Sequence, residues 1–379
     1  VIDDKEICAR LRLIRTHGVG PATYLQLMRR FGSGESAIAA FLEITARAGN
    51  ESRPLTLPSQ SEIESEIEAG TAVGARLLWL GDSDYPGLLA EIDSPPPALW
   101  ALGDPARLHE RAVAIVGSRN CSALGKRFAT RIGYDLAAEG LAIVSGLARG
   151  IDGAAHRGTL DGCAGEGTAI CVNPGGVDVA YPPEHRDLHA EICEKGVVFS
   201  EIRMGEAPTQ VHFRRRNRLI SGLAAGVVVV ESAARSGTLI TASSAGEQGR
   251  EVMAVPGHPT DPRAAGCNKL IRDGATLIRS AEDVLETLSG MFPESPPIAP
   301  TTLFDFREAD ASYDAASHKA VHAAILARLS PSPIALDAVL RDIDAAESDV
   351  MWAITELEIC GAILRAPGGM VSLHPNPGI

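Results

Sequence analysis

The chain has few aromatic residues, no paired-cysteine motif, no long apolar run and no dinucleotide-type glycine fingerprint. Phe, Trp and Tyr make up 4% of its 379 residues, so a mechanism built on many stacked bases is excluded, although one or two well-placed rings would suffice. The cysteines (Cys8, Cys121, Cys163, Cys171, Cys193, Cys267 and Cys360) are odd in number and never spaced C-x-x-C. That argues against a disulfide framework and a structural zinc site, and fits a reducing cytoplasm. The longest apolar stretch, AAGVVVV, falls far short of the roughly 20 residues that span a bilayer, and no segment resembles a signal peptide. A soluble, cytoplasmic protein with no membrane partner is expected. Positive charge is also short: the formal net charge is -13, so any binding to a polyanion must come from a local patch.

What is present is a 45% hydrophobic composition, enough for a sizeable core and two or three domains. Residues 6 to 48 read as helices, with Pro21 at a helix start. The His17-Gly18-Val19-Gly20 turn resembles the hairpin of helix-hairpin-helix and sterile-alpha-motif-like domains, and a plain αα-hairpin that needs glycine for a tight turn reads equally well. A poorly periodic connector follows, bracketed by Glu51–Ser61 and Pro95-Pro96-Pro97. Beyond it, short apolar runs at 112–116, 141–145, 168–172, 197–201, 226–231, 251–255 and 275–278 alternate with helical segments. This is the pattern of a Rossmann-like, doubly wound, mostly parallel α/β sheet covered on both faces. Residues 291–317 hold Pro293, Pro296, Pro297 and Pro300 and read as a linker. Three helices and a Gly-Gly hairpin then give the order of a winged helix. The expected domains are 1–75 (helical), 76–290 (Rossmann-like), 291–317 (linker) and 318–379 (winged-helix-like).

The strongest local signal is Phe213-Arg214-Arg215-Arg216-Asn217-Arg218, placed at the mouth of what reads as a buried strand. A cationic knot on an acidic chain needs an anionic partner or internal carboxylates. With Glu201 and Glu231 as candidate partners, a split role is expected, some arginines bracing the fold and others facing solvent. Gly117-Ser118-Arg119-Asn120 closes the first strand of the parallel run. A glycine there lets a backbone N–H approach an anion, and the planar Arg119 suits a phosphate or a base. Arg149 sits between Gly146 and Gly150 after the second strand, where Asp152 reads as a cap or an arginine partner and His156 as a structural histidine. Ser236-Gly237-Thr238 opens a helix and offers an anion cradle, and Lys269 adds a cation near the rim. No His, Cys or carboxylate set has metal spacing, so neither metal nor cofactor is expected.

The ordered blocks VGSR, SGLARGID-x-x-AH, D-x-x-YP, F-x-x-RNRLISGL, ESAARSGTLITA, EVMAVPG and G-x-N-x-LI-x-x-GA, spread over residues 81 to 280, resemble the DNA processing protein A (DprA, or Smf) family. The resemblance implies a dimeric, non-catalytic protein that binds and protects single-stranded DNA and loads a RecA-type recombinase during natural transformation. It places DNA contacts at Ser118 and Arg119, at Arg149, and around Phe213 to Arg218. Arg214 stands where the family usually has proline and Pro174 where it usually has glycine. Two enzyme readings compete. The fold also resembles nucleotide phosphoribohydrolases of the lysine-decarboxylase-like group, but Pro174-Gly175-Gly176 is not followed by that group's Gly-Thr and glutamate. A dinucleotide-dependent oxidoreductase would need G-x-G-x-x-G, which is absent after the first strand. The third helix of the winged module carries Glu347, Asp349, Glu356 and Glu358 and no Lys or Arg, so docking in a duplex major groove is not expected.

Overall fold

The computed structural model describes residues 3–47, 56–109, 111–162, 168–292, 315–366 and 368–375. Most of the expected linker lies outside the described residues. The chain divides into two compact units, Val1–Ser65 with Leu303–Ile379, and Glu66–Thr302.

In the first unit, helices α1 (Asp4–Ile14), α2 (Pro21–Phe31) and α3 (Gly34–Arg47) follow the helical periodicity of the sequence. Asp3 caps α1 by accepting from Glu6 N, and Pro21 occupies the first turn of α2, where a missing N–H costs nothing. The C-terminal module comprises α13 (Ala315–Arg328), β10 (Ile334–Ala335), α14 (Leu336–Asp342), α15 (Glu347–Ile359), β11 (Ile363–Ala366) and β12 (Met370–Leu373), with sheet order β10-β12-β11. Gly368 and Gly369 both have positive φ (77° and 63°), as the tight turn between β11 and β12 requires. Helix α15 turns Trp352 and Ile359 into the apolar cluster formed by Leu13, Tyr24, Leu27, Met28 and Phe41. Phe31 meets the Trp352 ring edge-on at 5.5 Å, and Arg30 lies over it at 4.5 Å. Thr23 donates to Glu358 at 2.8 Å. The acidic third helix therefore spends its face on the N-terminal helices.

In the second unit, α4 (Gln60–Ala72) begins before the unit boundary and leads to β1 (Arg76–Trp79), α5 (Gly87–Ala90) and β2 (Ala98–Gly103). Then come β3 (Ala112–Gly117), α6 (Ala123–Ala138), β4 (Ala142–Ser145), α7 (Ile151–Gly162), β5 (Thr168–Val172), α8 (Arg186–Lys195) and β6 (Val197–Ser200). The unit continues with α9 (Gln210–Gly222), β7 (Gly226–Val230), α10 (Thr238–Glu247), β8 (Glu251–Ala254), α11 (Ala265–Arg272), β9 (Thr276–Leu277) and α12 (Ala281–Thr287).

Each of the expected runs from 112–116 to 275–278 is a strand, and these strands are parallel to one another. The nine-stranded order is β1-β2-β6-β5-β4-β3-β7-β8-β9. Strands β1 and β2 extend it antiparallel beyond β6, β1 within the stretch that the sequence presents as a connector and β2 directly after it. There Trp100 packs under α4 and donates from its indole N–H to Glu66 at 2.8 Å. On one face, Ile115, Ile143, Val228 and Met253 pack against Ile132 and Leu136 of α6, Ile151 and Ala155 of α7, and Val284 of α12. Glycines let α6 and α7 touch backbone to backbone: a Cβ on Gly158 would lie 1.9 Å from Thr130 O.

Candidate nucleic-acid interface

Chain order along the sheet runs outward in opposite directions from the β3/β7 pair, so a crevice opens beyond the carboxyl ends of these two strands. It is a cleft of about 840 Å³. One wall is the loop after β3, with Gly117, Ser118, Arg119 and Asn120; a second is the exposed start of α9; the third is the turn after β7. Gly117 must be glycine, because a Cβ would sit 1.9 Å from Val230 O of the paired strand.

The arginine cluster lies on a helix and not at a strand mouth. Thr209 caps α9 in a reciprocal box with His212, and Leu219 and Ile220 bury its far half. A helical period of 3.6 residues sends successive arginines in different directions. Arg216 turns inward, 5% exposed, and donates to Val172 O at 2.9 Å. It fills the space over Gly146, where a Cβ would fall 1.6 Å from its Nη1. Arg218 donates to Ser94 O (2.6 Å) and to Glu201 (2.5 Å), and Arg215 lies 3.8 Å from the same carboxylate. Arg214 is exposed and lines the cleft.

Arg119, Arg214 and Arg235 are exposed on the cleft walls, and among the described residues none is in ion-pair contact with a carboxylate. The Arg119 guanidinium lies over the Phe213 ring at 4.8 Å, and Tyr181 meets that ring edge-on at 5.5 Å. The floor holds Asp152, which lies in the first turn of α7, not at the cap expected from sequence, and accepts from Gly146 N (3.2 Å) and Ala148 N (3.4 Å). Burial pushes its carboxyl up, and Arg216 pulls it back. On the same helix the wholly buried His156 is driven down to about 3 by burial and is therefore a neutral ring.

Of the residues singled out in the sequence, Gly117, Ser118, Arg119, Phe213, Arg214, Arg216, Asn217, Ser236, Gly237 and Thr238 meet in the cleft. Arg149, Arg218 and Lys269 lie outside its lining: Arg149 pairs with Glu184, Arg218 braces Glu201, and Lys269 on α11 faces Asp273 at 4.0 Å. In the expected cradle, Thr238 N is taken by Ser236 Oγ (3.2 Å), Leu239 N by Ser236 O (3.1 Å) and Ile240 N by Gly237 O (3.1 Å). Thr238 Oγ1 donates to Gly117 O at 3.1 Å, tying this turn to the β3 loop. Asn120, named in the sequence only as part of the β3 turn, also lines the cleft, and so do Gln210 and Arg235, which the sequence did not single out, although Arg235 stands in the same strand-to-helix turn as Ser236 and carries the same signal. Pro174-Gly175-Gly176 is packed against Arg203, Glu206 and Pro208 and does not line the cleft. Among the described residues no group of three His, Cys, Asp or Glu is arranged to hold a metal ion, and no helix is long and apolar enough to cross a membrane.

Three family models match along the chain: DNA recombination-mediator protein A over residues 76–289, a DprA-like N-terminal HHH domain over 4–69 and a DprA winged helix domain over 309–369. Protein Smf of Escherichia coli is 37% identical over 315 residues, which cover 80% of this chain and 81% of that protein. The DNA processing protein DprA of Streptococcus pneumoniae is 44% identical over 204 residues, covering 54% and 71%. Its crystal structure superposes with a TM-score of 0.57 at 36% identity, over 67% of this chain and 81% of that one. The Helicobacter pylori protein, solved to describe its single-stranded DNA binding mode, gives a TM-score of 0.52 at 26% identity, over 58% and 98%. With one model spanning the sheet unit and two more matching the helical and winged modules, the chain belongs to the DprA/Smf family of DNA recombination mediators.

Proposed function

We propose that the protein binds single-stranded DNA in the β3/β7 cleft and acts without catalysis, protecting the strand and presenting it to a RecA-type recombinase. The observation that carries this is the convergence of Arg119, Arg214 and Arg235, exposed and, among the described residues, without a carboxylate in contact, on one cleft of a protein with net charge -13. Cations left unpaired amid so many carboxylates leave a local positive field for phosphates. Phe213 adds a ring face beside them, and Arg119 already occupies the position a base would take against it. The H. pylori relative's description as a single-strand binder points the same way. A recombinase contact and a homodimer are part of this proposal, and likeness to the family is what supports them.

The winged module supports the single-strand reading over a duplex one. Its third helix carries no Lys or Arg and packs Trp352 and Ile359 against the N-terminal helices. A helix so engaged serves protein contact, not groove reading. The phosphoribohydrolase reading is disfavoured because its Pro-Gly-Gly remnant lies outside the cleft; release of free base from a nucleoside monophosphate would restore it. The test of the main reading is binding of labelled oligo-dT and its duplex counterpart over a range of salt. Single-strand preference with a steep salt dependence is expected, and equal or absent binding would refute it.

A further inference from the structure

We infer that Glu231 is a positioning residue for DNA binding: it fixes the loop Ser118–Ser122, and through it the direction of Arg119. The inference rests on the reading of the cleft as the DNA site. Glu231 is the residue after β7, is partly buried, and does not line the cleft itself. It nevertheless grips the Arg119 loop at both ends. Its backbone carbonyl accepts from Ser118 N at 2.8 Å. Its carboxylate accepts from Ser122 N at 2.8 Å and from the Ser122 hydroxyl. That hydroxyl also caps α6 by accepting from Gly125 N at 2.9 Å, so the carboxylate sits at a helix N-terminus, where negative charge is favoured.

Two further features mark the arrangement as built. Glu231 has φ +54°, and among the described residues Leu147 is the only other non-glycine in that region. A bulky residue keeps such a conformation only where its surroundings demand it. Gly125 leaves room for the carboxylate, since a Cβ there would lie 2.5 Å from the Glu231 Cδ. On its far side the loop is closed by Gly150, whose Cβ would be 2.3 Å from Ser118 O, and by Ile151 N, which donates to that oxygen at 3.3 Å. Arg119 thus projects from a short span with both ends held, and its guanidinium reaches Phe213.

The test is a double-mutant cycle on the full chain, with oligo-dT as the probe. Arg119→Ala is expected to lose about tenfold or more in affinity and to lower the salt slope by about one. Glu231→Ala should reproduce most of that loss and the same change of slope. Glu231→Gln should retain binding, because its amide can still accept from Ser122 N and donate to the hydroxyl. In the double variant Arg119→Ala/Glu231→Ala the loss should stay within about twofold of Arg119→Ala alone. Losses that multiply would overturn the positioning role while leaving the cleft reading intact. No effect of Arg119→Ala would overturn the cleft reading, and this inference with it. Should Glu231→Ala fail to fold, Ser122→Ala removes the hydroxyl contact from the other end and completes the same cycle: losses that multiply there overturn the inference, and a non-additive loss upholds it.

Discussion

Arg216 is the residue whose removal separates bracing from binding. Its side chain is buried, spans from α9 to the end of β5, and is the cation that offsets the fully buried Asp152. Arg216→Ala deletes the donor to Val172 O and leaves Asp152 with two long amide contacts, at 3.2 and 3.4 Å. Leaving the buried Asp152 charge uncompensated and the Val172 carbonyl without this donor costs about 3–5 kcal/mol, a large share of the roughly 5–15 kcal/mol that stabilises a typical domain. Any weakening of DNA binding by Arg216→Ala should therefore accompany a large loss of stability. Urea titration followed by circular dichroism checks this, and adding Asp152→Asn should recover part of the loss. The pH dependence has a definite sign. A carboxyl raised in the folded state binds its proton more tightly there, so its penalty is largest above the folded pKa and disappears as pH falls below the unfolded one. The deficit of Arg216→Ala should shrink on acidification through the carboxylate range. A single variant that costs under about 1 kcal/mol, an order expected of exposed pairs, or a double variant no more stable than the single one, would refute this account of Arg216.

Phe213→Ala should weaken single-strand binding by about 1–3 kcal/mol, the usual worth of one stacked base, with little change in melting temperature because the ring is partly exposed; a shift in melting temperature with unchanged affinity would contradict it. His156, driven down to about 3 by burial, binds a proton less readily folded than unfolded. It should cost about 1.4 kcal/mol of stability per pH unit between about 6.5 and about 3, and His156→Gln should flatten that acid limb in urea titrations at stepped pH. Trp352→Ala should cost about 3–5 kcal/mol as a large buried side chain, and hydrogen exchange should rise in residues 21–31 as well as in 350–360, since Trp352 packs on Phe31 and Arg30. A rise confined to the C-terminal module would count against that packing.

The central parallel strands were legible because a strand buried on both faces is written as an unbroken apolar run, as in β3 to β7; β8 and β9 towards the edge are only partly buried. Strands β1 and β2 were not: RLLW is four residues long, ALWALG follows three prolines, and both pair antiparallel at the edge beyond β6. The winged helix could be read from its helix spacing and Gly-Gly turn, while β10, two residues long, left no pattern. At the site, composition announced the arginine cluster, but helical phase and partners distribute it. Arg216 goes to the floor, Arg218 to Glu201 and Arg214 to the cleft wall, a sorting that depends on Gly146 and Ser94, far away in sequence. Glu231 appeared in the sequence only as a candidate arginine partner. Its hold on the Ser118–Ser122 loop depends on the pairing of β3 with β7, which brings the loop and the residue after Val230 together.

The measurement that bears most directly on the cleft is anisotropy of labelled oligo-dT, against its duplex, for the natural chain and Arg119→Ala at several salt concentrations. Single-strand binding that weakens steeply with salt is expected, and for Arg119→Ala a loss of about 1–3 kcal/mol with a salt slope lower by about one. Unchanged affinity and slope in the variant, or duplex bound as tightly as the single strand, would contradict it.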